Sequence, residues 1–408
     1  MEVDSIAKFL QGKIILVTGA TGFLSKVFVE KILRLQPKVN KLYLLLRAQD
    51  EESALQRLND EIINTELFKV LRRKWGSEFN HSVLSKIVAV AGDISFENLG
   101  VKDFMLRQKM WNELEIIVNV AATTDFYERY DVALDINTFG VLNVLNFGKK
   151  CDKVKLFLHV STGKFKGEFP LVIIRPSMIS STYKQPFPGW IEGLRTIDIV
   201  IMGYGKGKLT CFPGNLNSAL DVIPVDMVVN AMVVAMEVHY ANHQYSREVI
   251  YHVSSSLQNP MKYSDIQKFA YCYFTKNPWV DRNGQTVKIG ELKVISRIDL
   301  FFLSMQFKYV FPLKVFYLIN TLCCQRFKRV YTKFDRQIKF VMRLAQLYKP
   351  YAFFTGIFDV RNLEKLEKVA RERGIDGAEF DFNSRNIDWE DYIMNVHIPG
   401  LVKHAIRS

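Results

Sequence analysis

Cysteine is scarce. Five residues in 408, namely Cys151, Cys211, Cys272, Cys323 and Cys324, show no Cys-x-x-Cys pair and no regular spacing. That argues against a disulfide-stapled secreted scaffold and for a reducing compartment. Acid is short relative to base, 42 Asp and Glu against 55 Lys and Arg, which leaves a formal charge of +13 and a pI near 9.3. Such an excess asks for an anionic partner: cofactor phosphates, a coenzyme A thioester, a lipid surface or nucleic acid. No recognition motif accompanies the charge, so the expectation is no nucleic acid. The opening Met1-Glu2-Val3-Asp4 has no apolar core and resembles neither a signal nor a transit peptide. Internal repeats and low-complexity tracts are also missing.

Long uncharged apolar runs are lacking too. Residues 300–324 come nearest, but Lys308, Pro312 and Lys314 interrupt them, and the longest uncharged piece, 315–325, has 11 residues. A spanning helix needs about 20 largely apolar residues, so none is expected here. Between Lys308 and Arg343 nine basic residues face a single acid, Asp335, within a Phe-, Leu- and Tyr-rich stretch. Two readings stand for 300–343: peripheral membrane contact through an interfacial helix pair, or a helical domain packing on a sheet.

What is present is clearest near the start. Lys13-Ile14-Ile15-Leu16-Val17 reads as a buried strand that runs into Thr18-Gly19-Ala20-Thr21-Gly22-Phe23-Leu24 and then an amphipathic helix carrying Val27, Phe28, Ile32, Leu33 and Leu35. Gly19 permits the tight turn, Gly22 lets backbone approach a diphosphate, and the N–H groups of the helix start face the anion. Ser25 stands where a third glycine would fall. The next strand, 41–46, ends beside Arg47, at the position where an NAD-selective site carries an acid for the ribose 2′-hydroxyl. A guanidinium suits a 2′-phosphate, hence NADPH.

Strand and helix patterns alternate through the first half, with strands at 14–18, 41–46, 86–91, 116–120, 155–160 and 171–174 and helices at 25–35, 51–74, 102–113, 130–150 and 225–238. The class is α/β, a Rossmann-like doubly wound parallel sheet. A C-terminal, mainly helical domain follows, with helices at 264–274, across 297–347 and at 362–373, the last opened by Asn362 and closed by Gly374. The domain division is 1–255 and 256–408, the second with its core at 297–408.

Candidate site residues fall at the carboxyl ends of these strands, where such sheets bind ligands. Asp93, in Ala91-Gly92-Asp93-Ile94, can accept from an adenine amino group. Asn119 and Ala121, in Asn119-Val120-Ala121-Ala122, allow backbone to lie against the cofactor. Ser161 and Thr162 place two hydroxyls where a substrate carbonyl would be polarised.

The element expected next is missing. In this sheet class the crossover after strand five bears Tyr-x-x-x-Lys, whose cation lowers the pKa of a phenol on the same helical face so that the phenol protonates an oxyanion. Only 162–170 separate Ser161 from strand six, too few for a helical crossover and expected to leave one sheet face uncovered. The sole Tyr-x-x-x-Lys match, Tyr204 to Lys208, lies beyond strand six and contains two glycines that disfavour a helix. His239 and His243, four apart, lack a third ligand and read as solvated residues near a helix end; no metal is expected.

These residues resemble the plant alcohol-forming fatty acyl-CoA reductases, extended short-chain dehydrogenase relatives with a C-terminal male-sterility domain. The likeness covers nearly the whole chain. It rests on the segments above and, more particularly, on Pro186-Phe187-Pro188-Gly189-Trp190-Ile191-Glu192-Gly193 and Tyr348-Lys349-Pro350-Tyr351. The resemblance implies reduction of a long-chain acyl-CoA through an aldehyde to a primary alcohol, with NADPH as cofactor. By position Gly19, Thr21, Gly22, Phe23 and Leu24 would line the diphosphate, Arg47 the 2′-phosphate and Asp93 the adenine, with Ser161 or Thr162 as the catalytic serine. The family carries a long insert with Tyr-x-x-x-Lys where Thr162 here joins Gly163. The alternative is therefore an impaired or inactive NADPH-binding paralogue. The expected location is the cytosol, with peripheral attachment to the endoplasmic reticulum membrane as its extension.

Overall fold

The computed structural model describes residues 5–36, 38–161, 170–240, 248–281, 283–375 and 377–405. They group into two compact units, one formed by 1–191, 222–257 and 358–386, the other by 192–221, 258–357 and 387–408. The first unit thus takes in 358–386 from beyond the sequence-drawn boundary at 255, and the second takes in 192–221 from before it.

The first unit is built on seven parallel strands: β1 Ile14–Thr18, β2 Lys41–Leu46, β3 Ile87–Ala91, β4 Ile116–Asn119, β5 Leu156–Val160, β6 Leu171–Pro176 and β7 Glu248–Val253. Their order is β7-β6-β5-β4-β1-β2-β3. Continuous apolar runs such as Ile14-Ile15-Leu16-Val17 suit strands covered on both faces. Helix α1 (Phe23–Leu35) follows β1, α2 (Phe104–Glu113) precedes β4, α3 (Gly140–Lys149) precedes β5 and α4 (Val225–Tyr240) precedes β7. The order reverses between β1 and β4, the switch point at which such sheets open a crevice.

Two expected helices are interrupted. The 51–74 pattern resolves into Glu51–Leu58, a π turn at Asn59–Ile63 and Lys69–Trp75. Arg72 Nη2 donates to the Ile63 carbonyl and to Asn64 Oδ1, both at 2.7 Å, satisfying groups that the break frees. A π turn at Asp135–Phe139 likewise precedes α3.

Strands β5 and β6 are direct parallel neighbours, with Phe157 beside Leu171 and Val160 beside Ile174. The expected uncovered face is not found there. Phe157, Leu171 and Ile173 are buried in one apolar cluster with Val144, Leu145 and Phe147 of α3, while α4 packs on both strands. Apolar residues are half-buried at the two edge strands, Val249 and Ile250 on β7 and Ile87 and Val88 on β3.

Segment 358–386 joins this unit through helix α5 (Arg361–Glu372) and a polar knot. The buried Lys31 ammonium donates to Gln185 Oε1 and the Glu379 carbonyl, both at 2.6 Å, and Arg34 Nη1 reaches Glu379 Oε1 at 3.0 Å. Burial lowers the Lys31 pKa to about 8. Asn362 does not open α5, which begins at Arg361; its amide instead donates to the Ile250 carbonyl at 2.9 Å and tethers the helix to β7. Gly374 closes the helix at φ +68°, as the pattern implied.

The second unit is mainly helical, with Ile197–Gly205, Tyr263–Lys276, Ile298–Met305, Phe311–Leu322 and Lys328–Ala352. The stretch 297–347, expected to be helical, is a helical hairpin. Cys324 and Gln325 take left-handed φ values of +51° and +58° at the reversal, where buried Asn320 accepts from Phe327 N through its side chain at 2.7 Å and from Gln325 N through its carbonyl at 2.8 Å. Among the described residues no helix is long and apolar enough to cross a membrane.

Candidate active site

The strand ends of the first unit converge on a fixed polar junction. Thr18 Oγ1 donates to Asn119 Oδ1 and accepts from Ala121 N at 3.2 Å, while Asn119 Nδ2 donates to His159 Nδ1 at 3.1 Å. Thr18, Asn119 and His159 are all buried, and desolvation lowers the His159 pKa to about 4, so its ring is neutral at physiological pH. One hydroxyl and one amide thereby lock the carboxyl ends of β1, β4 and β5 in register. The Asn119 side chain thus engages both neighbouring strands, its oxygen toward Thr18 and its nitrogen toward His159.

Above that junction the backbone turns at Gly19, φ +64°, where an added Cβ would sit 2.7 Å from Ala121 Cα and 2.8 Å from Ala121 N. Gly22 N donates to Gly19 O at 2.9 Å, and the exposed Gly22 is the N-cap of α1 without a side-chain hydrogen bond. A glycine N-cap offers the first N–H groups of α1 no side-chain acceptor of its own, and a helix start of this kind suits an anion. Thr21 is half-buried at the rim. Phe23 and Leu24 turn their side chains inward, Phe23 stacking on Trp190 with ring centroids 5.3 Å apart, so what they offer a diphosphate is backbone.

Arg47 is exposed just past β2, and its carbonyl accepts from Arg57 Nη1 at 2.6 Å. Arg57 is itself paired with Glu61 at 2.6 Å, which holds the Glu61 carboxyl below its ordinary value. Asp93 is half-buried past β3; its Oδ1 accepts from Ser95 N at 2.9 Å, closing a local turn. Ser161 is half-buried at the end of β5, and its N donates to Ile174 O at 3.0 Å. Thr162 lies outside the described residues, as does His243.

The structure brings Gly19, Thr21, Gly22, Asn119, Ala121 and Ser161 to one sheet edge, with Arg47 and Asp93 at the next two strand ends. It does not assemble the Tyr204–Lys208 couple: the helix ends at Gly205, and the buried Tyr204 hydroxyl donates to Gly290 O at 2.9 Å, with burial raising its pKa to about 12. His239 is not solvated. It is buried with Nε2 2.7 Å from the Tyr251 hydroxyl, because α4 is enclosed almost all round. Sequence reasoning missed Thr18, His159, Trp190 and Asp226. Asp226 accepts from Tyr183 N and Lys184 N at 2.8 Å and Gln185 N at 2.9 Å, holding the loop that precedes Trp190. Its sequence signals were an acid among apolar residues at a helix start and its place in Asp221-Val222-Ile223-Pro224-Val225-Asp226, a segment that shares in the family resemblance.

A family model described as Male sterility protein matches 17–169 and 164–232, and a second model of the same description matches 308–408. The chain is 42% identical to the alcohol-forming fatty acyl-CoA reductase of Simmondsia chinensis, over 100% of both proteins. It is 43% identical to fatty acyl-CoA reductase 1 of Arabidopsis thaliana, over 99% of this chain and 100% of that protein. The chain belongs to the fatty acyl-CoA reductase family. It contains the NAD(P)-binding domain of that family, most of which falls in the first unit. Alignment with the Simmondsia protein runs over 492 positions against 408 residues here, a difference of 84, and the family match breaks at 164–169, inside the short crossover. Among solved structures, the reductase domain of a nonribosomal peptide synthetase from Mycobacterium tuberculosis superposes with a TM-score of 0.61, covering 98% of this chain and 96% of that one. At 15% identity that likeness speaks to the fold alone.

Proposed function

We propose that this member of the family uses NADPH to reduce a long-chain acyl-CoA to the aldehyde and then to the primary alcohol. The observation that carries the reading is full-length similarity to alcohol-forming reductases in a chain that retains the Gly19–Gly22 cradle over the locked ends of β1 and β4. Bound NADPH supplies the hydride, two being used per alcohol.

The chain's own groups hold and orient. Backbone N–H groups at the start of α1, beside Gly19, Thr21 and Gly22, take the diphosphate, Arg47 takes the 2′-phosphate, and the second carboxylate oxygen of Asp93 takes the adenine amino group. Ser161 donates to the substrate carbonyl oxygen. Without a Tyr-x-x-x-Lys helix, the proton for the second oxyanion comes from solvent or from the substrate pocket. The impaired-paralogue reading draws on that same absence.

The location proposed with this reading is the cytosolic side of the endoplasmic reticulum membrane, with 300–343 in contact with it. Expression in yeast with long-chain alcohols measured by gas chromatography tests the activity. Alcohol above background that is abolished by Gly22→Glu supports reduction; NADPH binding without alcohol supports the impaired paralogue.

A further inference from the structure

The hairpin of the second unit carries an apolar face that the protein leaves uncovered. Leu303, Phe307, Phe311, Val315, Leu318 and Leu322 recur at intervals of three and four residues and are 41% exposed at Val315 and 84% at Leu322. That spacing puts them on one side of a helical rod for roughly 28 Å. The opposite side supplies Phe301, Met305 and Asn320, all buried. Isolated exposed apolar residues are ordinary, but a continuous stripe of large ones marks an interaction face.

Charge identifies what covers it. Past Leu322 the chain reverses at Cys324 and Gln325, and Arg326, Lys328, Arg329, Lys333 and Arg336 line, with Lys208, an open groove of about 1010 Å³ at the start of the long helix Lys328–Ala352. Asp335 is the lone acid on that stretch, and it is taken by Lys339 at 2.8 Å. A second copy of this chain would bring the same cations face to face. A bilayer with anionic headgroups instead meets apolar side chains with acyl chains and cations with phosphates.

We infer that the hairpin 298–352 docks on an anionic phospholipid surface, with the Leu303–Leu322 stripe sunk to the level of the acyl chains and the Arg326–Arg336 groove holding lipid phosphates. The inference deepens the membrane contact proposed above and rests on that reading; it identifies the lipid chemistry and the inserted side chains.

Flotation of the full-length protein with phosphatidylcholine vesicles, with and without phosphatidylserine, tests it. Binding is expected to be more than about ten-fold tighter with phosphatidylserine and to weaken as salt rises. The double variant Phe311→Asp with Leu318→Asp should lose binding to both vesicles, Lys328→Glu with Lys333→Glu should lose only the phosphatidylserine preference, and Leu55→Asp, an exposed residue of the first unit, should change nothing. Wild-type protein that stays with neither vesicle, stripe variants that bind as wild type, or a concentration-dependent dimer that the stripe variants dissolve without any lipid binding would each overturn it. Fatty alcohol formation is scored separately in yeast. Alcohol without vesicle binding removes this inference alone, and vesicle binding without alcohol removes the reductase reading alone.

Discussion

Gly19 and Ala121 stand back to back across the ends of β1 and β4, so close that a Cβ on Gly19 would lie 2.7 Å from the Ala121 Cα. The glycine is demanded first by its neighbour strand and only then by a ligand. Gly19→Ala combines a left-handed φ with a backbone clash and should cost on the order of 2–4 kcal/mol. Gly284→Ala is the control: φ is +77° but nothing lies within 4 Å, so about 1 kcal/mol is expected. Urea unfolding measures both, and the quench of NADPH fluorescence should vanish only for Gly19→Ala.

Arg47 carries the proposed preference for NADPH. Its neighbour Arg57 is committed to Glu61 and to the Arg47 carbonyl, which leaves Arg47 as the exposed guanidinium at the end of β2. Arg47→Glu replaces a charge-assisted contact with repulsion, so NADPH affinity should fall by roughly 10- to 100-fold while NADH affinity holds or rises. Equal loss of both cofactors would place the 2′-phosphate elsewhere.

Asp226→Asn probes the loop beside the cradle. Asp226 is buried, and although desolvation raises its pKa, both oxygens accept backbone N–H groups from 183–185. An asparagine must turn an NH₂ toward at least one of those donors. A loss of about 1–3 kcal/mol is expected in urea unfolding. Because that loop runs on to Trp190, which stacks on Phe23, NADPH affinity should fall as well.

Two buried histidines set an acid limit. Desolvation lowers His239 and His159 each to about 4, below the 6.5 of a free imidazole. In the pH range between those values the unfolded chain binds more protons, so stability is complete above about 6.5 and is lost as pH falls toward 4. By about pH 5 each histidine should account for about 2 kcal/mol. His239→Gln keeps a polar partner for Tyr251 and removes one titration. Its urea midpoint should drop less than that of the wild type between about pH 7 and about pH 5.

The sheet was legible because β1, β2 and β4 are unbroken apolar runs whose flanking turns announce themselves. The π turns at Asn59–Ile63 and Asp135–Phe139 were not, since a helix that widens by one residue keeps its apolar period nearly intact. Asn119 was placed at its strand end, but the inward hydrogen bonds of its side chain were not legible, because their partners Thr18 and His159 lie on other strands. His239 was misread for the same reason, its partner Tyr251 sitting on a different element. The attachment of 358–386 depends on Lys31 meeting Glu379, a separation no local pattern encodes.

The short crossover offers the most direct test of the chemistry. The strands on either side of it pair in normal parallel register with their central side chains buried, across the nine residues 162–170, whose sequence holds no Tyr-x-x-x-Lys. The edge strand β7, half-buried at Val249 and Ile250, shows where added cover would have room to pack. Placing between Thr162 and Gly163 the segment of the Simmondsia reductase that has no counterpart here should therefore be tolerated. If proton donation limits this chain, the chimera should form alcohol about 10²- to 10⁴-fold faster, and a Tyr→Phe change within the inserted segment should take most of that gain away. A folded chimera that binds NADPH and gains nothing would mean that this chain already draws its proton from another source.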